Sequence, residues 1–146
     1  MEWDERVEGW IRKYHIRTRR SVELPQIRTT LSSLRSANQD LEALYLVTNG
    51  LSLEWFEIFP IRDARDPKHT WQDIVRVNDA ESTLFLGKCV ELLDRFMVIG
   101  SVGAGKAAAI DRGDNSIWYE EGEELSQIHL PLVEFIETCL REVTEP

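Results

Sequence analysis

The chain has no run of about 18 apolar residues, so nothing in it reads as a membrane-spanning helix. Its first ten residues, "MEWDERVEGW", lack the apolar block of a secretory signal, and the expected location is the cytoplasm. Cysteine is scarce. Cys89 and Cys139 stand far apart in apolar, helix-like surroundings, which predicts buried reduced thiols rather than a disulfide or a redox pair. Histidine is scarce too: His15, His69 and His129 are scattered, and no Cys or His pair has ligand spacing, so no metal is expected. As general bases, His69 and His129 have no orienting partner visible in the sequence. No carboxylate dyad or nucleophile–base pair stands out, there is no internal repeat, linker or low-complexity segment, and no cofactor is implied.

What is present is a chain of 146 residues, 42% hydrophobic and 29% charged, enough for one domain over 1–146 with a substantial core. Its net charge of -9 is unevenly spread. Residues 1–35 carry eight Lys/Arg against five Asp/Glu, whereas residues 111–146 carry ten Asp/Glu against Arg112 and Arg141. An acidic C-terminal third repels nucleic acid and anionic membranes and favours a basic partner.

"IGSVGAGKAA" contains the spacing G-x-x-x-x-G-K through Gly100, Gly105 and Lys106. A phosphate-binding loop needs a Ser or Thr after the lysine to hold Mg²⁺, and here Ala107 follows. It must also open a helix, yet "KAAAID" runs into Gly113, Asp114 and Asn115 within a few residues. The stretch reads as a glycine turn with Lys106 exposed, and no nucleotide is expected.

Hydrophobic spacing predicts a first helix over Trp3–Tyr14 with Trp3, Val7, Trp10, Ile11 and Tyr14 on one face. "RTRRS" reads as a solvated loop. Pro25 opens a second helix carrying Ile27, Leu31 and Leu34. Ser36, Asn38 or Asp40 caps a third, with Leu41, Leu44, Tyr45 and Val47 facing inward and Asn49–Gly50 at its left-handed end. "LEWFEIFPI" then reads as one strand, placing Trp55 and Phe59 on one face. A short strand follows at Ile74–Val77 and a helix over Ala80–Arg95, capped by Asp79 or Ser82 and weakened by Gly87. "RFMVIG" is a strand, "KAAAIDRGDNSIWYE" is two strands around a turn, and "EEGEE" is a polar loop. A helix with Leu132, Phe135, Ile136, Cys139, Leu140 and Val143 on its apolar face closes the chain. The fold class is α+β, a mainly antiparallel sheet flanked by N-terminal, middle and C-terminal helices. Trp55 and Phe59 are expected to lie under the closing helix near Phe135 and Ile136.

"LYLVTNGLSLEWFEIFPI", "FMVIGSVGAGKAAAIDRGDNSIWYE" and "LPLVEFIETCL", taken together over about residues 41–140, resemble the SUKH superfamily. This domain is shared by fungal cell-wall-assembly regulators and bacterial immunity proteins. Asn49–Gly50, Phe59–Pro60, Ile99–Gly100, Gly103, Gly105, Asp111 and Phe135 occupy the superfamily's characteristic places. Ser101, Val102 and Ala104 stand where the glycine turn usually carries an acidic residue. The resemblance implies a non-enzymatic protein-binding domain: an immunity protein that blocks a cognate toxin, frequently a nuclease, by direct binding; the acidic surface suits a basic one. The alternative it carries is a regulatory scaffold of the cell-wall-assembly type. The partner surface is expected at the acidic segment of Asp111, Asp114, Glu120, Glu121, Glu123 and Glu124, with Trp118 or Tyr119 as a buried anchor and the other facing the core.

Overall fold

The computed structural model describes residues 2–79 and 90–145. In chain order the elements are α1 (Trp3–Tyr14), β1 (Arg17–Thr18), α2 (Leu24–Ser33), α3 (Gln39–Val47), β2 (Leu51–Leu53) and β3 (Phe56–Ile58). They continue with α4 (Ile74–Val77), α5 (Val90–Arg95), β4 (Phe96–Val102), β5 (Ala107–Asp111), β6 (Ile117–Glu121), β7 (Glu124–Ile128) and α6 (Leu132–Thr144). The seven strands form one antiparallel sheet in sequence order, β1 through β7, so the fold is α+β.

The helices arise where spacing and caps agree. Helix α1 buries Trp3, Val7, Trp10 and Tyr14, and Trp3 meets Trp10 edge to face with centroids 6.4 Å apart. Ile11, expected on the same face, stands at its margin and is exposed. Pro25 lies in the first turn of α2. The Asn38 side chain caps α3 by accepting the Leu41 amide at 2.9 Å. Helix α6 buries Leu132, Val133, Phe135, Ile136, Cys139 and Leu140.

Register sorts the sheet into two faces. Phe56 and Ile58 of β3, Ala108 and Ile110 of β5, and Ile117 and Tyr119 of β6 share the face covered by α6, where Phe56 meets Phe135 edge on at 6.3 Å. Helices α1 and α3 pack beside α6. On the opposite face Trp118 stands against Phe96, centroids 5.5 Å apart. Beyond the end of β3, Asn78 takes over as partner of β4. Its amide accepts the Val98 N–H at 2.8 Å and donates to the Val98 carbonyl at 2.9 Å.

Several local expectations are corrected. "LEWFEIFPI" is not one strand but the β2–β3 hairpin. Leu53 pairs with Phe56 around Glu54, whose φ is 52°, a turn that no Gly, Asn or Asp marks in the sequence. The turn carries Trp55 outward, so Phe56 rather than Trp55 meets Phe135 under the closing helix, while Phe59 is buried. Ile74–Val77 is a helical turn and not a strand, because Asp73 caps it by accepting the Val75 and Arg76 amides, both at 3.0 Å. Local capping outweighs the β propensity of Ile and Val. "RTRRS" is not wholly loop, since Arg17–Thr18 pairs with β2. "EEGEE" is the tip of a hairpin: Gly122, at φ 65°, turns the chain into β7. Of the helix expected over Ala80–Arg95, the described part begins at Val90; Ser82, Gly87 and Cys89 lie outside the described residues.

The glycine stretch is a turn between β4 and β5. Gly103, Ala104 and Gly105 all have positive φ (104°, 50° and 74°), and the Lys106 amide donates to the Gly103 carbonyl at 2.8 Å. Ala107 begins a strand, so no helix presents its amides there. Lys106 is half-buried rather than exposed, its ammonium donating to the Gly122 carbonyl across the sheet.

Candidate partner-binding site

Strands β6 and β7 form a hairpin closed by Gly122–Glu123, with Glu121 paired to Glu124. Alternation along β6 divides its aromatics. Tyr119 stands on the α6 face and donates its hydroxyl to the Glu121 carboxylate. That hydrogen bond, then partial burial and the nearby negative charge of Glu121 and Glu142, hold the phenol above its ordinary pKa. Trp118 stands on the other face, its indole N–H donating to Ser116 Oγ at 2.9 Å. The Arg95 guanidinium lies 4.7 Å from the Phe96 centroid and 5.3 Å from that of Trp118. Of the two aromatics, Trp118 is fixed by its neighbours and Tyr119 faces a cleft.

The acidic residues separate into two groups at opposite ends of β6. Asp111 is 6% exposed; it accepts Arg95 Nε at 2.8 Å and the Gly113 amide at 2.8 Å, which builds the turn. Asp114, exposed in the same turn, accepts the Ser116 amide at 2.9 Å and the Ser116 hydroxyl. Those bonds hold its carboxyl below the usual range. Arg112 ties the turn down by donating to the Leu34 carbonyl at 2.8 Å and the Phe96 carbonyl at 2.9 Å. At the far end Glu120, Glu121, Glu123 and Glu124 come together. Glu120 is half-buried and accepts the Ala107 amide at 2.7 Å. Glu121, Glu123 and Glu124 are exposed, and from Ser116 to Leu130 the sequence holds no Lys or Arg.

Sequence reasoning missed the cleft beside this hairpin. About 460 Å³ in volume, it lies between α6 and the sheet, lined by Trp55, Tyr119, Ile128, Leu130, Phe135 and Cys139, with Glu121 and Glu142 among its acidic residues. Trp55 is 42% exposed at the β2–β3 turn, and Leu130 is also exposed. The available signal was Glu54–Trp55 as turn residues, which the strand-like run concealed. The Cys139 thiol is free, and burial, with Glu142 nearby, pushes its pKa up to about 12.

The histidines fall elsewhere. His69 does have a partner: its Nδ1 lies 2.8 Å from Asp66 Oδ1, one turn away on the exposed surface. His129 is exposed after β7. Among the described residues no group of three or more His, Cys, Asp and Glu side chains is placed to hold a metal ion. Among them, too, no helix is long and apolar enough to cross a membrane. Comparison with family models, with curated proteins and with solved structures finds no match to this chain.

Proposed function

We propose that this chain is a non-enzymatic binding domain of the SUKH type that acts in the cytoplasm as an immunity protein, neutralising a basic toxin, a nuclease by preference, through direct contact. The observation that carries the reading is the β6–β7 tip. Glu121, Glu123 and Glu124 are exposed at the tip of a hairpin whose own segment holds no Lys or Arg, next to a cleft edged by Trp55 and Tyr119. Lys106, a cation that does reach the tip, is engaged with the Gly122 carbonyl. Like charges on an exposed hairpin tip steer an oppositely charged partner, and half-exposed aromatics beside them supply the slow-dissociating contact. Asp111, Asp114 and Trp118 serve the fold in this reading, not the partner.

Co-expression with a toxin candidate encoded by a neighbouring gene tests it. The wild type is expected to rescue growth and to co-purify with that toxin. Reversing Glu121, Glu123 and Glu124 to Lys is expected to slow association several-fold while leaving the thermal melt in place. A wild type that neither rescues nor co-purifies overturns the immunity reading and leaves the regulatory scaffold in its place.

A further inference from the structure

The two edges of the sheet are unequal. At one end β1 is two residues long and carries Arg17. Very short, charged edges of this kind resist further pairing. At the other end β7 has five residues, Glu124–Ile128, with no proline, no lysine and no break in register against β6. Apart from the Glu124 charge at its start, it has none of the features that usually blunt an edge.

Hairpin geometry shows which of its backbone groups are open. In a two-residue hairpin the closing pair exchanges both backbone hydrogen bonds, and bonded pairs then recur at every second residue. Glu121–Glu124 closes this turn, so Tyr119–Ser126 and Ile117–Ile128 are also bonded pairs. The N–H and C=O of Leu125 and Gln127 therefore point away from β6. Among the described residues nothing pairs with them.

We infer that the β7 edge is a docking strand, and that its occupant is an extended basic segment of a partner protein, added antiparallel or parallel as an eighth strand through Leu125 and Gln127. The charge of that segment follows from the side chains beside it. On the α6 face β7 presents Glu124, Ser126 and Ile128, with Glu121 beside Glu124, and on the opposite face it presents Leu125 and Gln127. Among the described residues the only charges along this edge are the carboxylates at its Glu124 end. An incoming strand is therefore matched there by a basic residue and opposite Leu125 by an apolar one, side by side in an alternation of period two. A second copy of this chain fits less well, since it would bring together two chains of net charge -9, each with its glutamates at the edge. The inference rests on the binding-domain reading above only for the identity of the partner.

The test uses a capped octapeptide of alternating Lys and Val, titrated into the ¹⁵N-labelled protein. Two control peptides accompany it: one with alternate backbone amides N-methylated, and one with Glu in place of Lys. Pairing is expected to slow hydrogen exchange at the Leu125 and Gln127 amides about ten-fold or more, and neither control peptide is expected to do so. Gln127→Pro removes an outward N–H and no ladder bond, so it is expected to keep the fold and lose the protection. Should that variant unfold, the N-methylated peptide makes the same comparison on the unaltered protein. Exchange at Leu125 and Gln127 unchanged at saturating Lys–Val peptide overturns the inference. Protection of both amides without peptide, rising with protein concentration, overturns it in favour of a second copy. A cognate toxin that binds Gln127→Pro as tightly as wild type overturns the docking strand but not immunity. Peptide pairing without toxin rescue does the reverse.

Discussion

Asn49 holds both backbone groups of Ile61. Its Oδ1 accepts the Ile61 N–H and its Nδ2 donates to the Ile61 carbonyl, each at 2.7 Å and fully buried. The side chain acts as a piece of backbone, joining the end of α3 to the segment that leaves β3. Gly50 beside it has φ 77°, and a Cβ there would stand 2.5 Å from the Ile58 carbonyl oxygen. Tyr45 reinforces the junction by donating its hydroxyl to the Phe59 carbonyl at 2.6 Å. Asn49–Gly50 and Phe59–Pro60, distant in the chain, thus meet in one structural joint.

Asn49→Ala strips two buried hydrogen bonds and leaves the Ile61 N–H and C=O without partners. The expected loss is about 2–4 kcal/mol, since each orphaned group carries its own desolvation penalty. Urea unfolding measures it. A loss below about 0.5 kcal/mol would show that water or a shifted backbone replaces the clamp.

Phe135→Ala removes the ring that Phe56 meets and is expected to cost about 3–5 kcal/mol in the same assay. Trp55→Ala, at an exposed turn, is expected to cost about 1 kcal/mol or less and to act on partner affinity instead. Equal losses for the two would contradict the division between core and cleft.

Titration with ATP or GTP is expected to release no heat, because the glycine stretch leads into a strand and Ala107 offers no hydroxyl. Lys106→Ala loses one hydrogen bond to the Gly122 carbonyl, worth about 1 kcal/mol. Micromolar nucleotide affinity abolished by Lys106→Ala would refute the turn reading.

Cys139 gives a dependence on pH. Burial favours the neutral thiol, so the folded state keeps its proton up to about pH 12 while the unfolded chain ionises several units lower. A folded pKa raised in this way stabilises below the unfolded value and is lost as pH climbs through the interval between the two. In a Cys89→Ser background, alkylation at pH 8 is therefore expected to be slow for the native protein and fast in denaturant. Equal rates would place Cys139 at the surface.

Much of this molecule was legible in the sequence where local chemistry and periodicity agree. Trp3–Tyr14, the Pro25 helix, the Asn38 cap and the closing helix each bury one stripe at a spacing of 3–4 residues, and no neighbour is needed to specify that stripe. That the glycine stretch is a turn leading into a strand, and not the opening of a helix, was equally local, resting on the turn residues that follow Ala107 so closely. The acidity around Glu121 and Glu124 is composition alone. Tertiary structure decided the rest, because it depends on which segments meet. Pairing turned Glu54–Trp55 into a hairpin tip and Glu124–Ile128 into an edge, since a strand's bonds lie on other segments and its residues carry only weak preferences of their own. Register sent Tyr119 to the cleft and Trp118 to the opposite face, a choice that a one-residue slip would reverse. Folding likewise drew Asp111 into its turn beside Arg95 and left Glu121 exposed, although the two carboxylates are chemically near-equivalent in the unfolded chain.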